Sequence, residues 1–259
     1  MTTSPLRAGE AEVRVIGIRG IPMVEEGDDL AMLAFGAAMA QGTALRDGDV
    51  LVVAQRIVSK AEGRVVPLDS FEPSPFALAW AEEWDKDPRQ IEAVLRESAR
   101  IVRQRAGVLI AETHHGFICA NAGVDASNVG GEDLISLLPV DPDASARALR
   151  DAAREQLGVE IAVIVTDTFG RSWRQGETNI AIGLAGLRPL RPLVGVADID
   201  GREMRVSMPC VADEIAATAG LVMLKTASIP VAIVRGYEYE AGEGSAREIV
   251  RPPEMDLFP

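Results

Sequence analysis

The chain has 259 residues, of which 47% are hydrophobic and 25% are charged, and its formal net charge is −13. This length and balance allow a sizeable core, in one large domain or two small ones. The acidic charge argues against nucleic-acid binding, and no apolar run is long enough for a transmembrane helix. Residues 1–12 show no apolar segment typical of a secretion signal. Two cysteines without CxxC spacing favour a reducing, cytoplasmic compartment.

The first half of the chain alternates apolar runs with polar, glycine-containing segments. Residues 13–18 predict a strand, and 30–41 predict a helix that Asp28 or Asp29 caps and Gly42 ends. The next predictions, in chain order, are a buried strand over 49–54, a polar loop and a candidate strand in IVSKAEGRVV, a short helix within 70–88, a helix over 89–105 and a strand over 108–113.

The second half begins with a helix over 143–157, for which Asp141 is the N-cap, Pro142 the first residue and Gly158 the stop. A buried strand then ends at Thr166. The remaining predictions are a hairpin over 193–208 with Asp200-Gly201 at its turn, a helix in VADEIAATAGLVML and a last strand in IPVAIVRGYEYE. Because hairpins are mixed with strand–helix alternation, we expect an α+β fold of mixed sheets with flanking helices.

Four polar segments follow predicted strands, after 13–18, 49–54, 108–113 and 161–166. Ligands bind at strand ends in sheets of this kind, so we expect the four segments to meet. Asp125 lies in the third segment, and Asp167 and Thr168 begin the fourth. Their oxygen atoms suit Mg²⁺ or Mn²⁺ better than zinc. A helix cap or a tight turn explains each aspartate equally well, so both interpretations stay open.

The other polar motifs are less specific. Lys60 is either a phosphate contact or a solvated lysine, since the chain has no GxxxxGK[ST]. Arg171 and Arg174 are either a phosphate clamp or surface residues. His114 and His115 lack the partner spacing of a zinc site and are better explained as solvent-facing or hydrogen-bonded. Without GxSxG or a Cys/His pair, covalent catalysis is not expected. These residues favour a metal-dependent enzyme acting on phosphates.

Long strings in the chain carry a resemblance to a known family. They are GDVLVVAQRIVSKAEGRVV, ETHHGFICANAGVDASNVG, LPVDPDASARALR, VTDTFGRSWRQGETNIAIG, VADEIA and IPVAIVRG, and they occur in family order from about residue 13 to 258. The chain resembles the coenzyme F420-0:γ-glutamyl ligases, which add glutamate to the deazaflavin cofactor F420. Strings of this length are far more specific than a three-residue motif.

The resemblance implies a fold and a reaction. The fold is an α+β ligase fold particular to the family, with a flexible tail over 1–12, a ligase domain over 13–259 that allows two intertwined subdomains, and an intertwined homodimer. In the implied reaction GTP phosphorylates the terminal carboxylate of F420-0, and the amine of L-glutamate attacks the acyl phosphate. Further γ-linked glutamates are a possible extension. Neither nucleic acid nor a membrane is an expected partner.

The resemblance also implies roles for single residues. Asp125 and Asp167 would hold one divalent ion and Thr168 a second, so that these three are the catalytic residues. The implied cations are Mg²⁺ or Mn²⁺, two per site, with K⁺ as a further candidate. Lys225 stands where an oxygen ligand of the second ion is expected, which leaves that ion's ligand set open. The implied nucleotide-binding residues are Ile21, Pro22, Met23, Val24, Gln55, Lys60 and Asn128.

Two alternatives remain beside this ligase. One is a related nucleotide- and metal-dependent ligase that acts on a different acidic acceptor, because the same phosphate and metal residues would serve it. The other is a catalytically silent protein that keeps the nucleotide pocket. The presence of Asp125, Asp167, Thr168 and Lys60 disfavours the silent protein.

Overall fold

The computed structural model describes residues 12–126, 131, 133–224 and 226–256. Within these residues the chain forms three sheets and six α-helices, so the predicted α+β class is confirmed. The predicted tail over 1–12 lies, apart from Glu12, outside the described residues. None of the described helices is both long enough and apolar enough to cross a membrane.

The largest sheet has five strands, and its topology decides which strand ends meet. They are β1 (Arg14–Ile18), β2 (Val50–Ala54), β8 (Ala162–Arg171), β9 (Arg174–Ala185) and β10 (Val231–Arg235), in the spatial order β1-β10-β2-β8-β9. β2 and β8 pair in parallel, whereas β10 is antiparallel to both β1 and β2. The carboxyl ends of β1, β2 and β8 therefore share one edge of the sheet with the amino end of β10.

Helices flank this sheet. They are α1 (Leu30–Ala40), α2 (Gln55–Ala61), α5 (Pro142–Leu157) and α6 (Val211–Gly220). α5 packs against β8 and β9, and α6 packs against β9. The strands between them are apolar on both faces, with Val50, Val52, Ile164 and Ile233 fully buried. This continuous burial explains why the strand sequences show no alternation of polar and apolar residues.

A second layer is built from shorter elements around a separate apolar cluster. Its strands are β3 (Val65–Pro67) paired with β7 (Leu134–Ser136), and β4 (Ser98–Arg105), β5 (Val108–Thr113) and β6 (Ile118–Ala120) in order. Its helices are α3 (Pro75–Trp84) and α4 (Pro88–Arg96). Trp80, Val94, Leu109 and Ile135 belong to the cluster. Strand β6 contacts β8, so this second layer packs next to the main sheet.

Two helix predictions are confirmed at the level of their caps. The Asp29 carboxylate accepts a hydrogen bond from the Met32 N–H at 3.0 Å and begins α1. The Asp141 carboxylate accepts from the Ala144 N–H at 2.8 Å and begins α5, with Pro142 in the first turn. Gly158 ends α5 with a left-handed φ of 67°.

The helix predicted over 89–105 is wrong in its second half. α4 ends at Arg96, and residues 98–105 form β4, which pairs with β5. The two strands are joined by Ala106 and Gly107, both with positive φ, the backbone that a two-residue hairpin turn requires. Strand pairing therefore outweighs the apolar spacing of Ile101 and Val102 that suggested a helix.

Other predictions need shorter corrections. The polar loop predicted after β2 is the helix α2, because its polar residues Gln55 and Ser59 are buried and hydrogen-bonded inward. β8 does not end at Thr166 but continues to Arg171, paired with β9. The hairpin predicted over 193–208 is present as a turn at Gly201 and a single bridge between Ala197 and Glu203. α6 ends at Gly220, short of the predicted residue 224.

Candidate active site

A cavity of about 410 Å³ opens at the shared edge of the main sheet. This volume lies within the range of roughly 300–1,000 Å³ that is usual for small-molecule sites. Its walls are the loop after β1, the start of α2, the β8–β9 pair and the segment before β10. The lining residues are Ile21, Pro22, Met23, Val24, Ala54, Gln55, Arg56, Ile57, Lys60, Thr166, Asp167, Thr168, Asn179, Met223, Leu224, Ser228, Ile229 and Pro230.

Most of the residues singled out in the sequence meet in this cavity. The lining includes Asp167 and Thr168 together with the nucleotide candidates Ile21, Pro22, Met23, Val24, Gln55 and Lys60. Asn128 and Lys225 lie outside the described residues. Three of the four polar segments therefore converge, as expected from the common edge at which β1, β2 and β8 end.

The described part of the fourth segment, through Asp125, is connected to the cavity by an ion pair. Asp125 lies in the second layer, bridged to Ser136, and does not line the cavity. Its Oδ2 atom accepts a hydrogen bond from Nη2 of Arg56 at 2.7 Å, and Arg56 does line the cavity. Arg56 was not among the predicted site residues, although it directly follows Gln55 in the sequence.

The segment before β10 is a further wall, which the family resemblance had indicated only through Lys225. Met223, Leu224, Ser228, Ile229 and Pro230 line the cavity because β10 runs antiparallel to its neighbours and begins at the shared edge. An antiparallel strand cannot be distinguished from a parallel one by its apolar pattern alone. The apolar pattern therefore gave no signal for this wall, and the five lining residues were not predicted individually.

Asp167 and Thr168 lie inside β8, not at a helix end. Oδ1 of Asp167 accepts a hydrogen bond from the Thr168 N–H at 2.8 Å, and Oγ1 of Thr168 is 3.1 Å from Oδ1 of Asn179 on β9. The pairing register shifts just before them, between Val165 and Thr166. The extra residue of this bulge, Ile182, lies on β9, so side chains continue to alternate along β8. The helix-cap explanation of Asp167 is therefore wrong.

The polar side chains of β8 lie on both faces of the strand. Side chains alternate along a strand, so Asp167 shares a face with Val165 and Phe169, while Thr168 lies on the opposite face. The Asp167 face looks toward β6. Burial, and then the negative charge of Asp167, raises the pKa of the Cys119 thiol on β6 to about 12. The cavity thus borders β8 where that strand passes the end of β2, and it receives groups from both faces.

The start of α2 is held in place by buried hydrogen bonds. Nε2 of Gln55 donates to Oγ of Ser59 at 2.7 Å, and that hydroxyl donates to the Leu137 carbonyl at 2.6 Å. Lys60, one turn further on, projects to the first loop, where Nζ is 3.3 Å from Sδ of Met23. A thioether is a weak hydrogen-bond acceptor, so the ammonium loses little interaction energy when it leaves Met23 to contact an anion in the cavity.

The donor set at this edge fits a magnesium-type ion. Among the described residues there is no group of three or more His, Cys, Asp and Glu side chains placed to hold a metal, which leaves no closed zinc-type site there. Mg²⁺ needs fewer protein ligands, because one or two carboxylates together with waters and substrate phosphates complete its coordination shell. The carboxylate of Asp167, the hydroxyl of Thr168 and the amide oxygen of Asn179 are oxygen donors of the required kind.

Comparison with known proteins identifies the family. The family model described as F420-0:gamma-glutamyl ligase matches residues 17–236, which is most of the chain. The chain belongs to the F420-0:gamma-glutamyl ligase family. The resemblance found in the sequence strings is therefore confirmed, and with it the prediction that the protein is an enzyme of the ligase class.

Three relatives are similar to this family member over nearly their whole length, and each is called coenzyme F420:L-glutamate ligase. The Methanothermobacter thermautotrophicus protein is 43% identical over 249 residues, covering 95% of this chain and 98% of the relative. The Methanopyrus kandleri protein is 45% identical, covering 91% and 93%. The Archaeoglobus fulgidus protein is 42% identical, covering 95% and 96%.

The remaining polar motifs lie away from the cavity of this ligase. Nε2 of His114 contacts the Arg96 carbonyl at 2.9 Å, and Nε2 of His115 contacts the Pro139 carbonyl at 2.9 Å, so the histidines are hydrogen-bonded as predicted. Arg171 donates to the Gln175 carbonyl at the tip of the β8–β9 hairpin. Neither Arg171 nor Arg174 lines the cavity, so their location gives no support to a phosphate clamp.

Proposed function

We propose that this chain is a GTP-dependent ligase that joins the terminal carboxylate of coenzyme F420-0 to the amine of L-glutamate. The observation that carries the proposal is the meeting of Asp167, Thr168 and Lys60 in one cavity at the edge of the sheet. The relatives named coenzyme F420:L-glutamate ligase support the choice of acceptor and amino acid. The same groups would serve a nucleotide-binding protein without catalysis, and turnover is what distinguishes the ligase from it.

The proposed reaction has two steps. In the first, an oxygen of the acceptor carboxylate attacks the γ-phosphorus of GTP, the bond to the β-phosphate oxygen breaks, and GDP leaves. In the second, the glutamate nitrogen attacks the acyl carbon, the carbon–oxygen bond to phosphate breaks, and phosphate leaves. The glutamate ammonium gives up protons as the amide forms. Repetition on the new γ-carboxylate would extend the chain by further glutamates.

The residues of the cavity supply binding and charge. The apolar loop from Ile21 to Val24 offers a surface for the nucleoside, and Lys60 projects from α2 toward the same loop as the cation for its phosphates. Asp167 would hold one divalent ion, joined by Asp125 on its release from Arg56, and Thr168 would hold a second. A bound Mg²⁺ or Mn²⁺ would neutralise charge on the transferred phosphoryl group. Local cations are needed, because a net charge of −13 repels nucleotides from the molecule as a whole.

The proposal also includes a homodimer. The segment over 193–208 exposes apolar side chains, with Ile199 fully exposed and Val206 90% exposed. Several solvent-exposed apolar side chains within one segment are typical of surfaces that bind another protein chain. A second copy of the chain covering this segment would remove them from water.

The test is direct. Purified protein with F420-0, L-glutamate and GTP is expected to release phosphate and to yield a product heavier than F420-0 by one or more glutamyl residues, as measured by mass spectrometry. Omission of L-glutamate should abolish product formation. Product from another carboxylic acid but none from F420-0 would instead identify a related ligase with a different acceptor, and no phosphate release with any acceptor would refute the ligase assignment.

A further inference from the structure

A second cavity, of about 310 Å³, lies where α5 begins. It is separate from the cavity at the strand ends and shares none of its lining residues. Charged and polar side chains are gathered around it, although the surrounding fold is apolar. Its lining includes His115, Asp141, Arg147, Ile182, Ser245 and Arg247.

The second cavity lies on the same face of the main sheet as Asp167. Gly183 pairs directly with Val165, and a Cβ atom at Gly183 would be only 2.3 Å from the Pro142 carbonyl oxygen, so the start of α5 presses against that face. Directly paired residues share a face, as do Val165 and Asp167, which lie about 7 Å apart along the strand. The start of α5 therefore packs over the Val165–Gly183 pair, which lies one strand repeat before Asp167 on β8.

Two guanidinium groups at this cavity make long polar contacts. Nη2 of Arg147 is 3.5 Å from Oδ2 of Asp141, and Nη2 of Arg247 is 3.5 Å from the His114 carbonyl oxygen. Both distances exceed the usual N–H···O range of about 2.7–3.2 Å. By contrast, Arg235 grips its carboxylate at 2.7 Å. A ligand carboxylate that reaches Arg147 or Arg247 would gain a short, charge-assisted bond without breaking a strong one.

The wall of the cavity is fixed by other contacts. The Asp143 carboxylate accepts hydrogen bonds from Oγ of Ser245 at 2.6 Å and from the Leu184 N–H at 2.8 Å. His115 anchors the chain before α5 through the Pro139 carbonyl. Since these groups hold the backbone, the charges that can meet a ligand are the two arginines and the Oδ2 atom of Asp141, whose Oδ1 atom caps α5. The helix N-terminus adds a further preference for anionic groups.

We infer that this cavity binds L-glutamate, the amino-acid substrate of the proposed ligase function, on which the inference rests. Two guanidinium groups and one carboxylate complement the two carboxylates and one ammonium of L-glutamate. Arg147 and Arg247 take the carboxylates, and Asp141 takes the ammonium. The nucleotide occupies the separate cavity at the strand ends.

Asp141→Asn is the sharpest variant for the test. Asparagine caps a helix about as well as aspartate, so α5 and the melting temperature should be preserved while the negative charge is lost. We expect the KM for L-glutamate to rise about tenfold, and the KM for GTP to stay unchanged. Arg247→Gln should have the same selective effect, and Arg247→Lys should restore part of the affinity. Arg154→Gln, an exposed arginine on the same helix paired with Asp151, is the matched control.

Two results would overturn the inference. An active protein whose Asp141→Asn and Arg247→Gln variants keep the wild-type KM for L-glutamate shows that the amino acid binds elsewhere. A selective rise in the KM for F420-0 assigns the cavity to the acceptor. If the wild-type protein fails to join L-glutamate to F420-0 at all, the proposed function fails and the inference falls with it, which separates this outcome from the first two.

Discussion

Asp167 is the residue on which the proposed chemistry depends most. Its Oδ1 atom accepts from the Thr168 N–H, and an asparagine keeps that acceptor. Asp167→Asn should therefore leave the melting temperature almost unchanged while the ligation rate falls at least about a hundredfold, since the charge is what a cation needs. The measurement is product formation, with Asp69→Asn as a control at an exposed site.

The same variant has a second, independent readout. The charge of Asp167 is one cause of the raised pKa of Cys119, after burial. Removing that charge should lower the thiol pKa and speed the reaction of Cys119 with a thiol reagent at alkaline pH. A wild-type ligation rate in Asp167→Asn would contradict the assigned role, whatever happens to the thiol.

Lys60 offers a cleaner separation of binding from stability. Its ammonium contacts only the weak acceptor Sδ of Met23 among its described hydrogen bonds. Lys60→Ala should weaken GTP binding about tenfold in a calorimetric titration, and should change the free energy of unfolding by no more than about 0.5 kcal/mol. Lys86→Ala is the matched control, because that lysine is exposed and remote from the cavity. Equal GTP affinity in both variants would return Lys60 to the role of a surface lysine.

At the residue scale the sequence predicted much of the site, for a physical reason. Polar residues that follow continuous apolar strands meet at one edge whenever those strands run in the same direction, and Lys60, Asp167 and Thr168 satisfy that condition. Arg56 was missed because nothing in its neighbours distinguishes an arginine in an ion pair from a solvated one. The cavity at Asp141 was missed because its arginines come from segments a hundred residues apart in the chain.

At the element scale, Gly183 fixes how closely α5 approaches the sheet. A side chain there would collide with the Pro142 carbonyl at 2.3 Å, and backbone cannot move aside as a flexible side chain can. Gly183→Ala should lower the free energy of unfolding by about 1–3 kcal/mol in urea denaturation. Gly170→Ala is the control, because a Cβ at Gly170 meets nothing within 4 Å. Equal stability of the two variants would show that α5 can shift without cost.

The ends of β2 and β10 are joined by a buried ion pair. Nε and Nη2 of Arg235 donate to the two carboxylate oxygens of Asp49 at 2.8 and 2.7 Å, and the Asp49 side chain is 2% exposed. These hydrogen bonds raise the pKa of Arg235. Arg235→Leu leaves the carboxylate buried without its partner and should cost about 3–5 kcal/mol.

An exposed pair provides the comparison for this prediction. Arg154→Leu removes one of the two arginine partners of Asp151 at the surface and should cost no more than about 1 kcal/mol. Adding Asp49→Leu to Arg235→Leu should recover part of the lost stability, because no uncompensated charge then remains. A denaturation series in which both single arginine variants lose the same stability would contradict the importance of burial.

Element boundaries show where sequence reasoning reaches its limit. The caps at Asp29 and Asp141 were identified because a cap is a local event, decided by a few neighbouring residues. β4 and the far half of β8 were missed because each is held by a partner strand, and pairing is not local. α2 was mistaken for a loop because the buried acceptor of its polar residues, the Leu137 carbonyl, lies about eighty residues away.

At the scale of the whole molecule, the proposed homodimer predicts that the segment over 193–208 lies in the interface between two copies of the chain. Light scattering should give twice the mass of the chain for the wild-type protein. Ile199→Asp together with Val206→Asp should give monomers, because charges cannot be buried without partners in an apolar interface. Leu78→Asp, at another exposed apolar position, should leave the mass unchanged. A monomeric wild-type protein would contradict the proposal.

The junction of β2 and α2 has a consequence for how this molecule tolerates change in chain length. The strand ends at Ala54 and the helix begins at Gln55, with no connecting residue between them. Inserting one residue there would rotate the helix by about 100°, since an α-helix has 3.6 residues per turn. Lys60 would then leave the cavity and Ser59 would lose the Leu137 carbonyl. Loops elsewhere can lengthen at little cost, but this junction sets the rotation of α2 residue by residue, and insertions across it should abolish both binding and folding.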